Sequence, residues 1–410
     1  MWTGHEVPFT LQPDNGANFV DQNGARMSEY PLLPLFVAAD AIHGDKKKPP
    51  VDWPAVDVIT DRNGLRKLLR WLNPSEGREV RDFRIDVELV GAKTIVLNRW
   101  EGRTREPPTG RSYGFAFEAA TARAAPGCPP SGHHRTITYV RYDCMFCDID
   151  VLTTYILREQ DMLDMKMVVR FEVDACLPTG TSTATSTKSG TSTPKRSGRK
   201  SPELAIDEIA DALENMNLLT SSPVPKPPTT TSSPSSPLSP TPSSASPALN
   251  IVRAGTQVPQ ESLLEVASRS KYFIDQLDWN ELYPQLVISQ TPGLRLGVHE
   301  RGTFTEMREM QVDGDGVVGA GASAGGPSLP PALEAQKRET AAQLVRLARV
   351  LEDVQELAIS RGPGPTGSFS LVCEGGKLQV YARKGVRRSC LPPDVRARFS
   401  RAGAKVAADE

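Results

Sequence analysis

The sequence predicts an α/β (α+β) fold with a mixed central sheet flanked by helices and long disordered insertions. Three observations lead there. Leu65, Leu68, Leu69 and Leu72 share one face at helical spacing, whereas Phe83, Ile85, Val87 and Leu89 alternate at strand spacing. Two short acidic strands stand on either side of a Ser/Thr/Pro-rich insert.

The 410 residues suffice for one large domain or two small ones. Hydrophobic content of 39%, aromatic content of 6% and clustered prolines predict that part of the chain is disordered. A formal net charge of −1 provides no global field for a polyanion, so any such partner must be met by a local patch. Six cysteines in a chain this long do not make a disulfide scaffold, which predicts reduced thiols. No signal-peptide pattern and no run of 18 apolar residues is visible. The expectation is an intracellular protein, nuclear or cytoplasmic, without a membrane partner; the oligomeric state stays open.

Along the chain, residues 1–50 read as a Pro-punctuated N-terminal extension with an apolar patch from Leu32 to Ala39. Residues 51–177 form the first part of the predicted domain. Within it a helix covers 58–73, strands cover Phe83 to Leu89 and Thr94 to Arg99 around a turn at Gly91, a helix covers Phe115 to Ala122, and a strand covers Arg135 to Arg141. Residues 178–250 are a low-complexity insert, too poor in apolar side chains to offset the entropy of ordering. It contains one acidic amphipathic helix, Glu203 to Leu219, which reads equally as a satellite of the core or a partner-binding motif. Residues 251–313 resume the domain with strands at Leu263 to Ser268 and Leu294 to Glu300 and a short helix starting near Pro284. A Gly/Ala/Pro linker at 314–331 leads to a C-terminal region, 332–400, holding a long helix up to Ser360 and a hairpin from Ser370 to Arg383.

The acidic strands carry the chemistry. Residues two apart on a strand share a face, so Glu172 and Asp174 project together while Phe171 and Val173 face apolar packing. Glu265 and Ala267 repeat the pattern. If the strands are neighbours three carboxylates converge, and Glu118 adds a fourth from a helix. Clustered carboxylates repel unless a cation neutralises them, and oxygen ligands suit Mg²⁺ or Mn²⁺. Such ions activate water for phosphodiester or pyrophosphate hydrolysis. The plainer reading is an edge strand with solvent-facing acids. Arg62, followed by Arg66, Lys67 and Arg70, reads either as phosphate-binding guanidinium groups or as an ordinary basic helix face.

Five motifs in order are more specific than any one of them: Asp61-Arg62-Asn63-Gly64-Leu65-Arg66-Lys67-Leu68-Leu69, Tyr113-Gly114-Phe115-Ala116-Phe117-Glu118, Arg170-Phe171-Glu172-Val173-Asp174, Leu264-Glu265-Val266-Ala267-Ser268, and Gln285 seven residues before Pro292-Gly293-Leu294-Arg295-Leu296-Gly297-Val298-His299-Glu300. Over about residues 55–305 the chain resembles the DXO-like decapping exoribonuclease family, of the PD-(D/E)XK nuclease fold. The resemblance implies metal-dependent processing of RNA 5′ ends, with RNA and a partner exoribonuclease as partners. It implies Mg²⁺ or Mn²⁺ at Glu118, Glu172, Asp174 and Glu265, phosphate binding by Arg62 and Arg66, and a glutamine, Gln285, reaching into the site.

Two departures qualify the expectation. The family's Glu-x-Lys is Glu265-Val266-Ala267 here, so the cation that would stabilise phosphoryl charge is missing. Arg269, or Lys271 one same-face step further, is a candidate substitute. The activity is therefore read as impaired or as retained through Arg269, and the alternative is a non-catalytic scaffold that binds RNA or a protein at a relict site. The second departure is the stretch 144–166, an insertion or a gene-model artefact; its Cys144-x-x-Cys147, with Cys176 and His133 or His134, makes a weak zinc set. Lys195 to Lys200 is a basic run of nuclear-signal type. The layout also resembles fungal proteins labelled geranylgeranyl pyrophosphate synthetase, but no Asp-Asp pair exists to hold a prenyl diphosphate.

Overall fold

The computed structural model describes residues 1–15, 18–43, 51–74, 80–107, 112–125, 128, 137–142, 165–178, 258–313, 316–319, 331–383 and 389–400. The predicted helix 203–219, the Cys144–Cys147 pair, His133 and His134, and the basic run 195–200 lie outside them.

The chain opens with β1 (Phe9–Thr10), β2 (Asn18–Phe19), α1 (Gln22–Arg26) and α2 (Leu33–His43). Then come β3 (Val58–Asp61), α3 (Arg62–Leu72), β4 (Phe83–Val90), β5 (Thr94–Trp100), β6 (Arg105–Glu106), α4 (Gly114–Thr121), β7 (Ile137–Tyr142), β8 (Met167–Glu172) and β9 (Ala175–Cys176). After the insert follow β10 (Leu263–Ser270), α5 (Trp279–Ile288), β11 (Gly293–Glu300), β12 (Thr303–Asp313), β13 (Gly316–Gly319), α6 (Pro331–Arg361), β14 (Phe369–Glu374), β15 (Lys377–Ala382) and α7 (Pro393–Ala397).

The architecture is mixed α/β, as expected, but with two main sheets. One has seven strands in the order β15-β14-β4-β5-β3-β8-β7, with β3 parallel to both β5 and β8. The other has six: β1-β12-β11-β10-β9, with β13 on β12. β10 and β11 run parallel, with Glu265 opposite Leu294.

Helices cover both faces of the seven-stranded sheet. Leu65, Leu68 and Leu69 of α3 and Leu347, Leu351 and Val354 of α6 pack on Ile85, Val87, Ile95, Leu97 and Val169. On the opposite face Leu33, Leu35 and Phe36 of α2, with Trp53, Leu391, Val395 and Phe399, pack on Ile59, Val96 and Val168. The second sheet is covered by α4 through Phe117, against Leu264 and Phe304, and by α5 through Leu282 and Leu286, against Leu294. The N-terminal residues join this packing directly: β1 pairs with β12, and Asp14 accepts hydrogen bonds from the Phe115 and Ala116 amides at the start of α4.

Two expectations need correction. The helix predicted over 58–73 begins only at Arg62; Val58–Asp61 is a fully buried strand between β5 and β8. Four buried residues are too few to reveal a period, and the following leucine stripe masks the boundary. The helix predicted to start near Pro284 runs from Trp279 to Ile288, so Pro284 and Gln285 are interior residues.

Candidate functional site

The seam between the sheets begins at Asp61. This residue ends β3 and caps α3, its Oδ1 accepting the Gly64 amide at 2.6 Å. Its Oδ2 meets Arg99 Nε at 3.3 Å and Arg170 Nη2 at 3.2 Å. Burial works to raise the Asp61 carboxyl pKa, but Arg99 and Arg170 outweigh it and hold it below the usual range. With Asp21 alongside Arg99, the network ties the N-terminal residues to the strand that launches α3.

Capping fixes the first turn of α3 and aims Arg62 at β10. Arg62 Nη1 donates to Glu265 Oε2 at 3.0 Å, and Gln285 Nε2 of α5 donates to Glu265 Oε1. Both oxygens of Glu265 are thus engaged. The chain crosses between sheets at Asp174, the link from β8 to β9, and Asp174 Oδ2 accepts the Val266 amide at 2.8 Å. That bond fixes Asp174 beside the residue that follows Glu265. Glu172 sits at the end of β8, while Phe171 and Val173 pack with Leu263 as the alternation predicts.

The charges interact as one group. Burial would lower the Arg62 pKa, yet Glu265, Asp174 and Glu172 raise it. Asp174 is pushed well above the ordinary carboxylate value, first by burial, then by Glu265 and Glu118. The structure therefore brings Arg62, Glu118, Glu172, Asp174, Glu265 and Gln285 into one electrostatic neighbourhood.

Arg66 lies one turn along α3. Its Nη2 meets Glu281 Oε2 at 3.3 Å, and Arg70 reaches the same carboxylate at 2.7 Å. Arg269 takes a different direction. It is buried, donates to the Ser268 carbonyl at 2.8 Å, interacts with the charge of Asp278, and lies close enough to His299 to depress its pKa. Lys271 is at the surface, paired with Glu300. Ala267 packs with Leu282, Leu286 and Leu294. Sequence reasoning did not single out Asp21, Arg99 or Glu281. Glu281 had a readable signal: it stands one turn before Gln285 and so shares its helix face.

The donor types suit a hard cation, since all four acids offer oxygen, and burial followed by Glu265 and Glu118 raises Asp174. Their arrangement does not close around one. Each oxygen of Glu265 already accepts one hydrogen bond, from Arg62 or Gln285, and keeps a further lone pair. Among the described residues, no group of three or more His, Cys, Asp or Glu side chains is disposed to hold a metal ion. Arg62 supplies part of the charge that neutralises the acids.

No curated protein matches the chain. Among solved structures it is similar to S. pombe Rai1 in complex with 3′-FADP, with 11% identity, 92% of this chain and 87% of that chain covered, and a TM-score of 0.42. It is similar to Scheffersomyces stipitis Rai1 in complex with (3′-NADP)⁺ and calcium, with 11% identity, 98% and 89% covered, and a TM-score of 0.44. K. lactis Dxo1 in complex with manganese shows 7% identity, 91% and 77% covered, and a TM-score of 0.41. No helix among the described residues is long and apolar enough to cross a membrane. Residues 1–205, half of the chain, match the family model described as a domain of unknown function (DUF8563), and the protein belongs to that family.

Proposed function

We propose that the protein is a nuclease-like binder of RNA 5′ ends whose hydrolysis is slow or absent. The observation that carries this reading is the double engagement of Glu265 by Arg62 and Gln285. The ordered motifs support the RNA-end assignment, and the neighbourhood of Glu118, Glu172, Asp174 and Glu265 supports descent from a metal-dependent site. The position that would carry the missing lysine is an alanine in apolar packing, which supports loss of turnover. Arg62, hydrogen-bonded to Glu265 and in the field of Asp174 and Glu172, would exchange part of that pairing for a terminal phosphate, to which a guanidinium donates in bidentate fashion.

The test compares 5′-monophosphorylated and 5′-hydroxyl RNA octamers, with and without Mn²⁺. Binding should favour the phosphorylated end, and turnover should be near background. Ala267→Lys restores a cation on the Glu265 face and should raise Mn²⁺-dependent turnover on the order of 10²-fold. Robust native turnover that is abolished by Asp174→Ala would overturn the impaired reading, and binding indifferent to the 5′ phosphate would overturn end recognition.

A further inference from the structure

Two turns of α3 away from the carboxylate group lies a cavity of about 390 Å³ between α3, α5 and α6. Three arginines line it: Arg66 and Arg70 from α3 and Arg346 from α6. Glu281 holds the first two in place, accepting from Arg70 Nε and Nη2 at 2.9 and 2.7 Å and from Arg66 Nη2 at 3.3 Å. A second acid on the wall, Glu339, accepts from Gln343 Nε2 at 3.2 Å. The arginines outnumber the acids, and their charge is not fully met. Arg346 is exposed and has no partner among the described residues, and Arg66 Nε is buried without a hydrogen-bond acceptor among them. Burial, then the neighbouring Arg70 and Arg62, pull the Arg66 pKa down to about 9 against the opposing pull of Glu281 and Glu265. Amides from Asn73, Asn280 and Gln343 complete a polar wall.

We propose that this cavity is a subsite for a backbone phosphate of a single-stranded nucleic acid, contacted by Arg70 and Arg346. The proposal rests on the reading above, which puts the strand's 5′ end at Arg62. From Arg62 to Arg70 is eight residues, about 12 Å at the helical rise of 1.5 Å. Measured by the ~3.4 Å per-nucleotide rise of one strand of duplex DNA, that places the contacted phosphate about three or four nucleotides downstream of the end. The two sites share both helices, since Arg62 and Gln285 serve one while Arg66, Arg70 and Glu281 serve the other. A strand lying along the α3–α5 seam would meet them in succession.

The geometry makes binding depend on length. The experiment measures affinity for 3′-labelled, 5′-phosphorylated RNA dimers and octamers by fluorescence anisotropy. It uses EDTA and a salt series, with the full-length native chain, Arg346→Gln and Arg346→Lys. Arg308→Gln, at a half-exposed β12 position paired with Glu306, is the charge-matched control. The octamer should bind more tightly than the dimer. Arg346→Gln should weaken the octamer about tenfold, the scale of one charge-assisted hydrogen bond, and leave the dimer unchanged. It should also reduce the slope of log affinity against log salt by about 0.7 for the single strand, and Arg346→Lys should restore most of that slope. Octamer affinity that depends on the 5′ phosphate but not on Arg346 would overturn the subsite and leave the end-binding reading intact. Affinity that depends on Arg346 but not on the 5′ phosphate would preserve a phosphate pocket and overturn end recognition. No binding of the octamer at low salt would overturn both.

Discussion

Arg62 Nη1 and Glu265 Oε2 lie 3.0 Å apart across 203 residues of sequence, and their bond joins α3 on the seven-stranded sheet to β10 of the second sheet. Both side chains are nearly nine-tenths buried. Removing the cation from such a pair leaves a carboxylate group without compensation, which costs about 3–5 kcal/mol in buried examples. Arg62→Gln should therefore melt well below the native chain. Because the exposed demand for charge is then unmet, Mn²⁺ should raise the melting temperature of Arg62→Gln more than that of the native protein. Equal responses to Mn²⁺ would show that Arg62 does not stand in a cation's place.

Asp61 organises the other side of the same seam. It caps α3 and meets both Arg99 and Arg170, all three being almost fully buried. Asp61→Ala would remove the carboxylate shared by two buried guanidinium groups, which keep Asp21 and, at Arg99, Glu101 as partners, so a loss of about 1.5–3 kcal/mol is expected. Asp61→Asn keeps an oxygen for the Gly64 amide and should recover part of the helix cap, typically worth ~1 kcal/mol, but not the ion pairs. Chemical denaturation of both variants would separate the two contributions.

Elements with a sustained period were legible in the sequence, because side-chain burial imposes that period. The leucine stripe of α3, the alternation of β4 and the stripe Leu344, Leu347, Leu351, Val354 of α6 are of this kind. β3 was hidden because a strand of four buried residues has no exposed half to alternate with. α5 was placed late because Pro284 reads as a helix start, although the helix begins behind Asp278. Of the site, the motif order marked Arg62, Glu118, Glu172, Asp174, Glu265 and Gln285. It did not show that Arg62 and Gln285 would take both oxygens of Glu265, because pairings over long sequence separation leave no local pattern. The direction of Arg269 depends on Asp278 and His299, which only the packed sheet brings close.

His299 gives a pH signature separate from the acidic group. Its ring lies between Tyr113 and Phe304, its Nε2 is buried without a partner among the described residues, and burial with the nearby Arg269 lowers its pKa to about 4. The unfolded chain takes up the proton near pH ~6.5, whereas the folded chain resists until about 4. Stability from this residue is therefore present above the unfolded value and is lost as pH falls through that window. The slope is at most about 1.4 kcal/mol per pH unit. His299→Gln should flatten the stability profile between pH 4 and 6.5, and an unchanged profile would place the ring in water.

Asp174 titrates with the opposite consequence. Its pKa in the folded protein is raised by burial, Glu265 and Glu118, so the folded state holds its proton where the unfolded chain has lost it. Stability from this residue is fully present below the unfolded value near ~3.9 and falls as pH rises towards the raised folded value. Asp174→Asn removes that liability, and the amide oxygen can still accept the Val266 N–H that Asp174 Oδ2 now accepts at 2.8 Å. The variant should match the native chain at low pH and exceed it by about 1 kcal/mol at pH 8, the usual exchange of stability against function at a strained site. The same change removes an anionic donor from the group, so weak Mn²⁺ affinity should fall with it. Urea denaturation at pH 4 and pH 8, paired with Mn²⁺ titration, checks both halves. A variant less stable than the native protein at pH 8 would mean that the ionised Asp174 is held by Arg62 more strongly than it is repelled by Glu265 and Glu118.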